Sequence, residues 1–113
     1  MSEHRHALRK RAPHTIEVTD SMTGKTIGLV GNLSVEGMLL ICHQALPPNA
    51  LYQFSFNLPA VKGADSRRIE IGVHEQWSEA ASAPGQFWSG FRIIDIAPED
   101  QQLLTQWVNP PNS

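Results

Sequence analysis

The sequence predicts a mainly β domain, an antiparallel barrel or sandwich of six strands followed by one C-terminal helix. Two observations support this fold class. Short segments with alternating apolar and polar residues are separated by turn-forming residues, and one segment near the end spaces its apolar residues as a helix does. With 113 residues and 41% hydrophobic content, the chain is long enough for one domain with a small core. Strands are predicted at 15–20, 25–31, 38–42, 51–58, 67–77 and 87–94.

The first two predicted strands form a hairpin. Ile16 and Val18 alternate with polar residues, and Ile27 and Leu29 do the same after a turn that ends at Gly24. The third segment, MLLIC at 38–42, is a continuous apolar run, which is typical of a strand covered on both faces.

The fourth and fifth predicted strands each place apolar residues on one face. In the fourth strand these are Tyr52, Phe54, Phe56 and Leu58. In the fifth strand Glu75 interrupts the apolar face, so we expect the strand to bulge or to emerge into solvent there. In the sixth strand Trp88 falls on the face opposite to Phe87 and Phe91, where a partner protein can reach it.

The C-terminal segment 97–108 has the features of a helix. Pro98 occupies a favourable first helical position, and Glu99 and Asp100 suit the positive end of the helix dipole. The sequence NPP at 109–111 ends the helix. The apolar residues at helical spacing are Leu103, Leu104, Trp107 and Val108. We expect them to pack on the sheet, with Trp107 in the core.

Charged residues are unevenly distributed along the chain. Its net charge is −2, but four of its nine Lys and Arg fall within residues 5–11. Blocks of like charge often mark interaction tails, although a solvated tail is the plain alternative. We therefore predict a flexible basic arm at 1–13, a folded domain at 14–108 and a disordered tail at 109–113.

Composition also limits the environment of the protein. The single cysteine, Cys42, cannot form an internal disulfide, which favours a reducing compartment and hence a cytoplasmic location. No segment approaches the ~20 apolar residues that a membrane helix needs, so membrane insertion is not expected.

Patterns for catalysis and metal binding are poorly represented. Adjacent side chains of a strand point to opposite faces, so Cys42 and His43 do not form a nucleophile and base pair. His4 and His6 lack Cys or acidic partners at metal-ligand spacing, and the phosphate-binding pattern GxxxxGK[ST] is absent. We therefore predict no enzyme, no catalytic residue, no metal ion and no cofactor.

Two short motifs remain. Arg5 and Arg9 form RxxxR, and Asn32, Ser34 and Gly37 form NxSxxG between the second and third predicted strands. By itself, NxSxxG fits either a capped turn or a binding site, because short polar side chains serve in both.

Together these motifs resemble the signature of the PilZ family, RxxxR followed some twenty residues later by [D/N]xSxxG. Arg9 and Asn32 are 23 residues apart. Trp77 and the segment GFRII at 90–94 also fit the family's later strands. The resemblance implies a six-stranded antiparallel β-barrel of the PilZ-like, split-barrel type, with a C-terminal α-helix packed on it.

The resemblance further implies a receptor for cyclic di-GMP. Arg5 and Arg9 would clamp the phosphates and the guanines. Asn32 and Ser34 would bond a guanine and the nearby backbone, and Gly37 would let the turn close. The guanidinium group suits this ligand because its planar fork fits phosphate and the guanine edge. Possible supporting residues are His4, Lys10, Arg11 and Trp77.

Two positions depart from the usual pattern of the family. Asn32 stands where many members carry an acid, and an amide has only one oxygen to accept from guanine. His4 stands where many members carry another arginine, which reduces the positive cluster.

The implied function is that of a single-domain receptor and adaptor. It would signal to an unidentified effector protein in the control of bacterial motility, biofilm or exopolysaccharide. The main alternative is an adaptor in pilus or motility machinery that works without nucleotide. A small barrel that binds single-stranded nucleic acid is disfavoured, because residues 15–113 contain five Lys and Arg against ten Asp and Glu.

Overall fold

The computed structural model of the protein describes residues 10–11, 16–59 and 66–109. The described residues form one short strand within the basic arm, six strands across the body of the chain and a final helix. The strands are β1 (Lys10–Arg11), β2 (Glu17–Asp20), β3 (Thr26–Leu33), β4 (Gly37–Cys42), β5 (Leu51–Leu58), β6 (Arg67–Ala80) and β7 (Phe87–Ile96), and the helix is α1 (Pro98–Val108).

Strands β2 to β7 form a closed, antiparallel, six-stranded barrel. Their order is β3-β2-β5-β6-β7-β4, and β4 pairs back onto β3. The short strand β1 lies beside the last residues of β3. This arrangement confirms the predicted mainly β fold. Of the two predicted architectures, the structure is the barrel and not the sandwich.

The elements follow the sequence pattern closely. β2 and β3 form the predicted hairpin, whose turn uses Gly24 at a φ of +77°, a region that favours glycine. The last two strands extend further than predicted, to Ala80 and Ile96. They continue because β6 and β7 pair with each other over nearly their whole length.

The inner face of the barrel carries one apolar core. Phe54, Phe56 and Leu58 are buried on β5, as predicted, and the rings of Tyr52 and Phe54 stack with centroids 5.4 Å apart. Leu104 and Trp107 of α1 belong to the same core. The prediction that Trp107 is a core residue is confirmed.

β4 departs from the expectation that both its faces are covered. Met38, Leu40 and Cys42 are buried on the inner face, but Leu39 and Ile41 are only half-buried on the outer face. An antiparallel barrel buries its interior and leaves its outer face open to solvent. The outer face of β4 therefore presents apolar side chains.

β6 has a bulge between Glu75 and Trp77, which confirms the expectation that the strand bulges at Glu75. Emergence of Glu75 into solvent is wrong, since the side chain is 1% exposed. Its carboxylate accepts hydrogen bonds from the Asn49 backbone N–H at 2.9 Å and from Ser78 Oγ at 2.9 Å. These two bonds offset the cost of burying the carboxylate. Trp77, beyond the bulge, is 45% exposed.

Two other features, a membrane-spanning helix and a metal-binding cluster, are absent from the described residues. None of their helices is long and apolar enough to cross a bilayer. Nor do they contain a group of three or more His, Cys, Asp or Glu that could hold a metal ion.

Candidate functional site

The turn between β3 and β4 is held by Ser34. Its hydroxyl accepts from the backbone N–H groups of Glu36 and Gly37, both at 3.1 Å, and Ser34 N–H donates to the Gly37 carbonyl at 2.9 Å. Ser34 is 1% exposed. The hydroxyl is therefore engaged by its own turn and fixes the shape of the chain after Asn32.

Gly37 is needed for a close approach between strands. A Cβ at this position would overlap the backbone carbonyl oxygen of Phe91 on the neighbouring strand β7. Gly37 pairs with Arg92 across this contact. Its φ is not among the positive values, so the glycine serves the packing of β4 on β7 and not a left-handed turn.

Trp77 lies on the outer face, over Gly90. The two residues pair across β6 and β7, and a Cβ at Gly90 would come within 2.5 Å of Trp77 Nε1. Only a residue without a side chain can accept the indole in this position. Gly90 pairs in turn with Leu39, and Leu39 pairs with Asn32. Asn32, Leu39, Gly90 and Trp77 thus form one row across four strands.

A second outer row lies beside this one. It runs from Gly37 through Arg92 to His74. Arg92 is exposed, and Gln76 Nε2 lies 3.0 Å from His74 Nδ1 and donates to the His74 carbonyl at 3.1 Å. The row adds a positive charge and polar groups to the indole and amide of the first row.

A groove of about 810 Å³ opens where the two rows meet. Its size lies within the range of small-molecule sites. Among the described residues that line it, Arg92 carries a positive charge and Glu36 a negative one. The lining residues with polar or aromatic side chains are Asn32, Glu36, Gln76, Trp77, Phe91 and Arg92.

The strand β1 connects the basic arm to this groove. Its backbone pairs with β3, with Lys10 opposite Leu33 and Arg11 opposite Asn32. His4, Arg5 and Arg9 lie outside the described residues. So do residues 12–13 of the predicted arm and residues 110–113 of the predicted tail.

The structure brings Asn32, Gly37 and Trp77 to one groove, whereas Ser34 does not line it and is buried in the turn between β3 and β4. Sequence reasoning missed Arg92 and Gln76 as lining residues. Arg92 alternates with the apolar neighbours Phe91 and Ile93, so its outward direction was visible. The pairing of β7 with β4, which puts Arg92 opposite Gly37, joins distant parts of the chain and was not visible.

No protein-family model matches this sequence, and no curated protein does. Solved structures match well. The motility inhibitor MotI (DgrA) of Bacillus subtilis has a TM-score of 0.74 at 19% identity, and the match covers 92% of this chain and 49% of MotI. YcgR of Escherichia coli in complex with c-di-GMP has a TM-score of 0.66 at 16% identity, with 90% and 43% covered.

The PilZ domain of Escherichia coli YcgR with c-di-GMP, taken alone, matches over nearly its whole length. The TM-score is 0.65 at 13% identity, and the match covers 94% of this chain and 89% of that domain. This chain thus spans about half or less of the longer MotI and YcgR chains. Similarity at these identities establishes the fold.

Proposed function

Because the chain has the fold of a PilZ domain, we propose that it binds cyclic di-GMP in the groove and passes the signal to a partner protein. The observation that carries this proposal is the pairing of β1 with β3, which sets Arg11 opposite Asn32. It joins the two residues that follow RxxxR to the strand in which NxSxxG begins. The second residue after RxxxR therefore lies opposite the first residue of NxSxxG, which supports a shared site.

The ligand has two phosphates and two flat guanine bases, and the site offers groups that match both. We assign Arg5 and Arg9 to the phosphates and guanine edges, as the family resemblance implies. A hydrogen bond to a charged group contributes about 1.5–3 kcal/mol net. Several such bonds supply much of the ~8 kcal/mol that a micromolar affinity represents.

The described groove residues have complementary roles in this proposal. The exposed indole of Trp77 offers a stacking surface for a guanine, and Asn32 offers an amide at the end of β3. Arg92 adds a third cation, opposite Gly37. All three belong to paired strands, so their backbones need not be ordered when the ligand binds.

Ser34 and Gly37 act in this proposal by shaping the groove. The Ser34 hydroxyl is buried and already bonded to two backbone N–H groups of its turn. Gly37 allows β4 to approach β7. Together they set the distance between Asn32 and Arg92, on either side of the ligand.

Signalling proceeds by ordering of the basic arm. Lys10 and Arg11 already form a strand, so the proposed ordering concerns residues 1–9. The new surface made by the arm and the nucleotide would then recruit an effector in the bacterial cytoplasm. The protein acts as a receptor and adaptor, without chemistry of its own.

Calorimetric titration of the whole chain with cyclic di-GMP tests the proposal. A separate titration with cyclic di-AMP, which carries the same charge, is the control. Micromolar binding of cyclic di-GMP, with weaker binding of cyclic di-AMP, supports a receptor. Absence of cyclic di-GMP binding at high micromolar concentration would leave the nucleotide-independent adaptor. Amide exchange of residues 2–9, with and without ligand, then tests the ordering step.

A further inference from the structure

Strand β6 changes the direction of its side chains at the bulge beside Glu75. Before the bulge, Ile71, Val73 and Glu75 point inward, with exposures of 1%, 0% and 1%. In a regular strand Trp77 would be the next inward residue, because side chains alternate between the two faces. Trp77 is instead exposed and lines the groove. The bulge is therefore what sends the indole to the outer face.

The register of β6 on β7 identifies the extra residue of the bulge. Glu75 lies opposite Phe91 and Trp77 lies opposite Gly90, so Gln76 has no partner of its own on β7. A regular pairing would set Gln76 opposite Gly90 and carry Trp77 to the inner face. The groove would then present an amide over Gly90, where it now presents an indole.

A hydrogen bond between two side chains spans the bulge. Ser78 Oγ donates to Glu75 Oε2 at 2.9 Å, three residues away along β6. Side chains three residues apart in a regular strand point to opposite faces, so this bond requires the bulge. A regular strand would leave the buried carboxylate without one of its donors, which is unfavourable for a charged group. The bond therefore favours the bulged register.

Both ends of this bond are anchored to neighbouring elements. Glu75 N–H donates to the Ala50 carbonyl at 2.9 Å, and Asn49 N–H donates to the Glu75 carboxylate at 2.9 Å. Ser78 Oγ lies 2.7 Å from Ser89 Oγ on β7, and Ser89 is fully buried. Because the Ser78 proton goes to Glu75, Ser89 is the donor in this contact. The bulge is thus tied to the residues before β5 and to β7.

We infer that Glu75 and Ser78 are positioning residues of the candidate site. Neither is among the described residues that line the groove. Together they hold the bulge that sets Trp77 over Gly90, where its indole offers a stacking surface for a guanine. The inference rests on the proposed function for its effect on ligand affinity. The position of Trp77 is a property of the protein without ligand and is measured separately.

Nuclear magnetic resonance of the ligand-free protein tests this position. The place of a Gly90 Cβ lies 2.5 Å from Trp77 Nε1, so the unaltered chain should give a strong nuclear Overhauser effect between Trp77 Hε1 and Gly90 Hα. In Ser78→Ala this effect should fall at least about twofold, because the bulge is no longer closed. Ser55→Ala is the matched control and should keep the full effect. It removes the hydroxyl of a buried serine outside the bulge, bonded to Arg68 at 2.7 Å.

Calorimetry with cyclic di-GMP tests whether Ser78 acts through Trp77. Ser78→Ala should weaken binding about fivefold, since part of the stacking on the indole is lost. Ser78→Thr keeps a hydroxyl and should retain the affinity of the unaltered chain. In a Trp77→Ala background, Ser78→Ala should cause no further loss. A general structural effect of Ser78→Ala would weaken binding in both backgrounds and would overturn the inference.

Glu75→Met provides a second variant, which separates position from charge. It replaces the buried carboxylate by an apolar side chain of similar size, a kind of change that is often tolerated for stability. It should weaken the Overhauser effect and the affinity as Ser78→Ala does. Circular dichroism verifies that both variants are folded. A full Overhauser effect in either folded variant would overturn the inference.

Failure of the receptor proposal has a different signature. If the unaltered chain binds no cyclic di-GMP, the proposed function is wrong, and so is the effect of the bulge on affinity. The Overhauser effect in Ser78→Ala and Glu75→Met still decides whether these residues position Trp77. If the unaltered chain binds and both variants keep its affinity, the inference is wrong and the receptor proposal stands.

Discussion

Arg11 lies opposite Asn32, paired through the backbones of β1 and β3. This pairing joins the basic arm to the strand that leads into the Ser34 turn. Asn32 also lines the groove, together with Trp77 and Arg92.

Ser34→Ala should lower the free energy of unfolding by about 1–3 kcal/mol. It leaves the buried N–H of Gly37 and the N–H of Glu36 without their acceptor. It should also weaken cyclic di-GMP binding, because the turn then no longer fixes Asn32. Urea denaturation and calorimetry measure the two effects.

Ser21→Ala is the matched control for that variant. The Ser21 hydroxyl is buried and makes no hydrogen bond within the described part of the chain, so its removal should change stability little. Equal destabilisation by both variants would contradict the role given to the Ser34 turn.

Gly37→Ala should destabilise the protein by about 1–3 kcal/mol or more and distort the groove. The added Cβ overlaps the Phe91 carbonyl oxygen, which belongs to the backbone of β7 and cannot rotate away. Gly24→Ala provides the comparison. Gly24 has open space around it and a φ of +77°, so this variant should cost ~1–2 kcal/mol and leave ligand affinity unchanged. A Gly37→Ala protein with normal stability and affinity would refute this account of the site.

Arg92→Ala should weaken cyclic di-GMP binding about tenfold, which corresponds to ~1.4 kcal/mol. Because Arg92 is exposed, its loss should change stability by less than about 0.5 kcal/mol. The salt dependence of binding should also decrease. If affinity and salt dependence both stay at the values of the unaltered chain, Arg92 does not contact the ligand.

Stability should fall as the pH rises from about 8.5 to 9.5, because of Cys42. Burial raises the pKa of the Cys42 thiol, while a hydrogen bond with Ser89 lowers it by less. In the unfolded chain the thiol ionises near pH 8.5, so above that pH the unfolded state binds fewer protons than the folded state. The part of the free energy of unfolding that depends on the protonated Cys42 thiol is fully present below about pH 8.5. It is lost as the pH rises toward the pKa of the thiol in the folded state.

Urea denaturation at pH 7.5, 8.5 and 9.5 measures this effect, with Cys42→Ala as the control. The control should be less stable at every pH but should show a smaller decrease above pH 8.5. Burial also raises the pKa of Tyr52, and the range below pH 9.5 keeps most of the tyrosine titration out of the comparison. An identical slope for both proteins would rule out Cys42 as the cause.

The fold could be predicted from the sequence because its signals are local. Alternation marked the apolar face of β5, and Pro98 with two acids marked the start of α1. The bulge at Glu75 was expected for the same reason, since one charged residue interrupted a regular pattern. Its burial was not foreseen, because the partners of the carboxylate include the distant Asn49 backbone.

The site was only partly predictable because strand pairing brings its remaining members together. Asn32 and Gly37 stand in a recognisable motif, and Trp77 is the last residue of the predicted fifth strand. Arg92 joins them only through the register of β4 on β7, which no local pattern encodes. The use of the Ser34 hydroxyl within its own turn likewise required the three-dimensional structure.

The central claim is that the basic arm and the groove form one cyclic di-GMP site. Calorimetry of Arg9→Ala beside Lys25→Ala tests it most directly, since each variant removes one positive charge. Lys25 precedes β3 and lies about 23 Å along the chain from Asn32. The account predicts micromolar binding by the unaltered chain and by Lys25→Ala, and at least a tenfold loss for Arg9→Ala. No binding by the unaltered chain, or equal affinities for both variants, would contradict it.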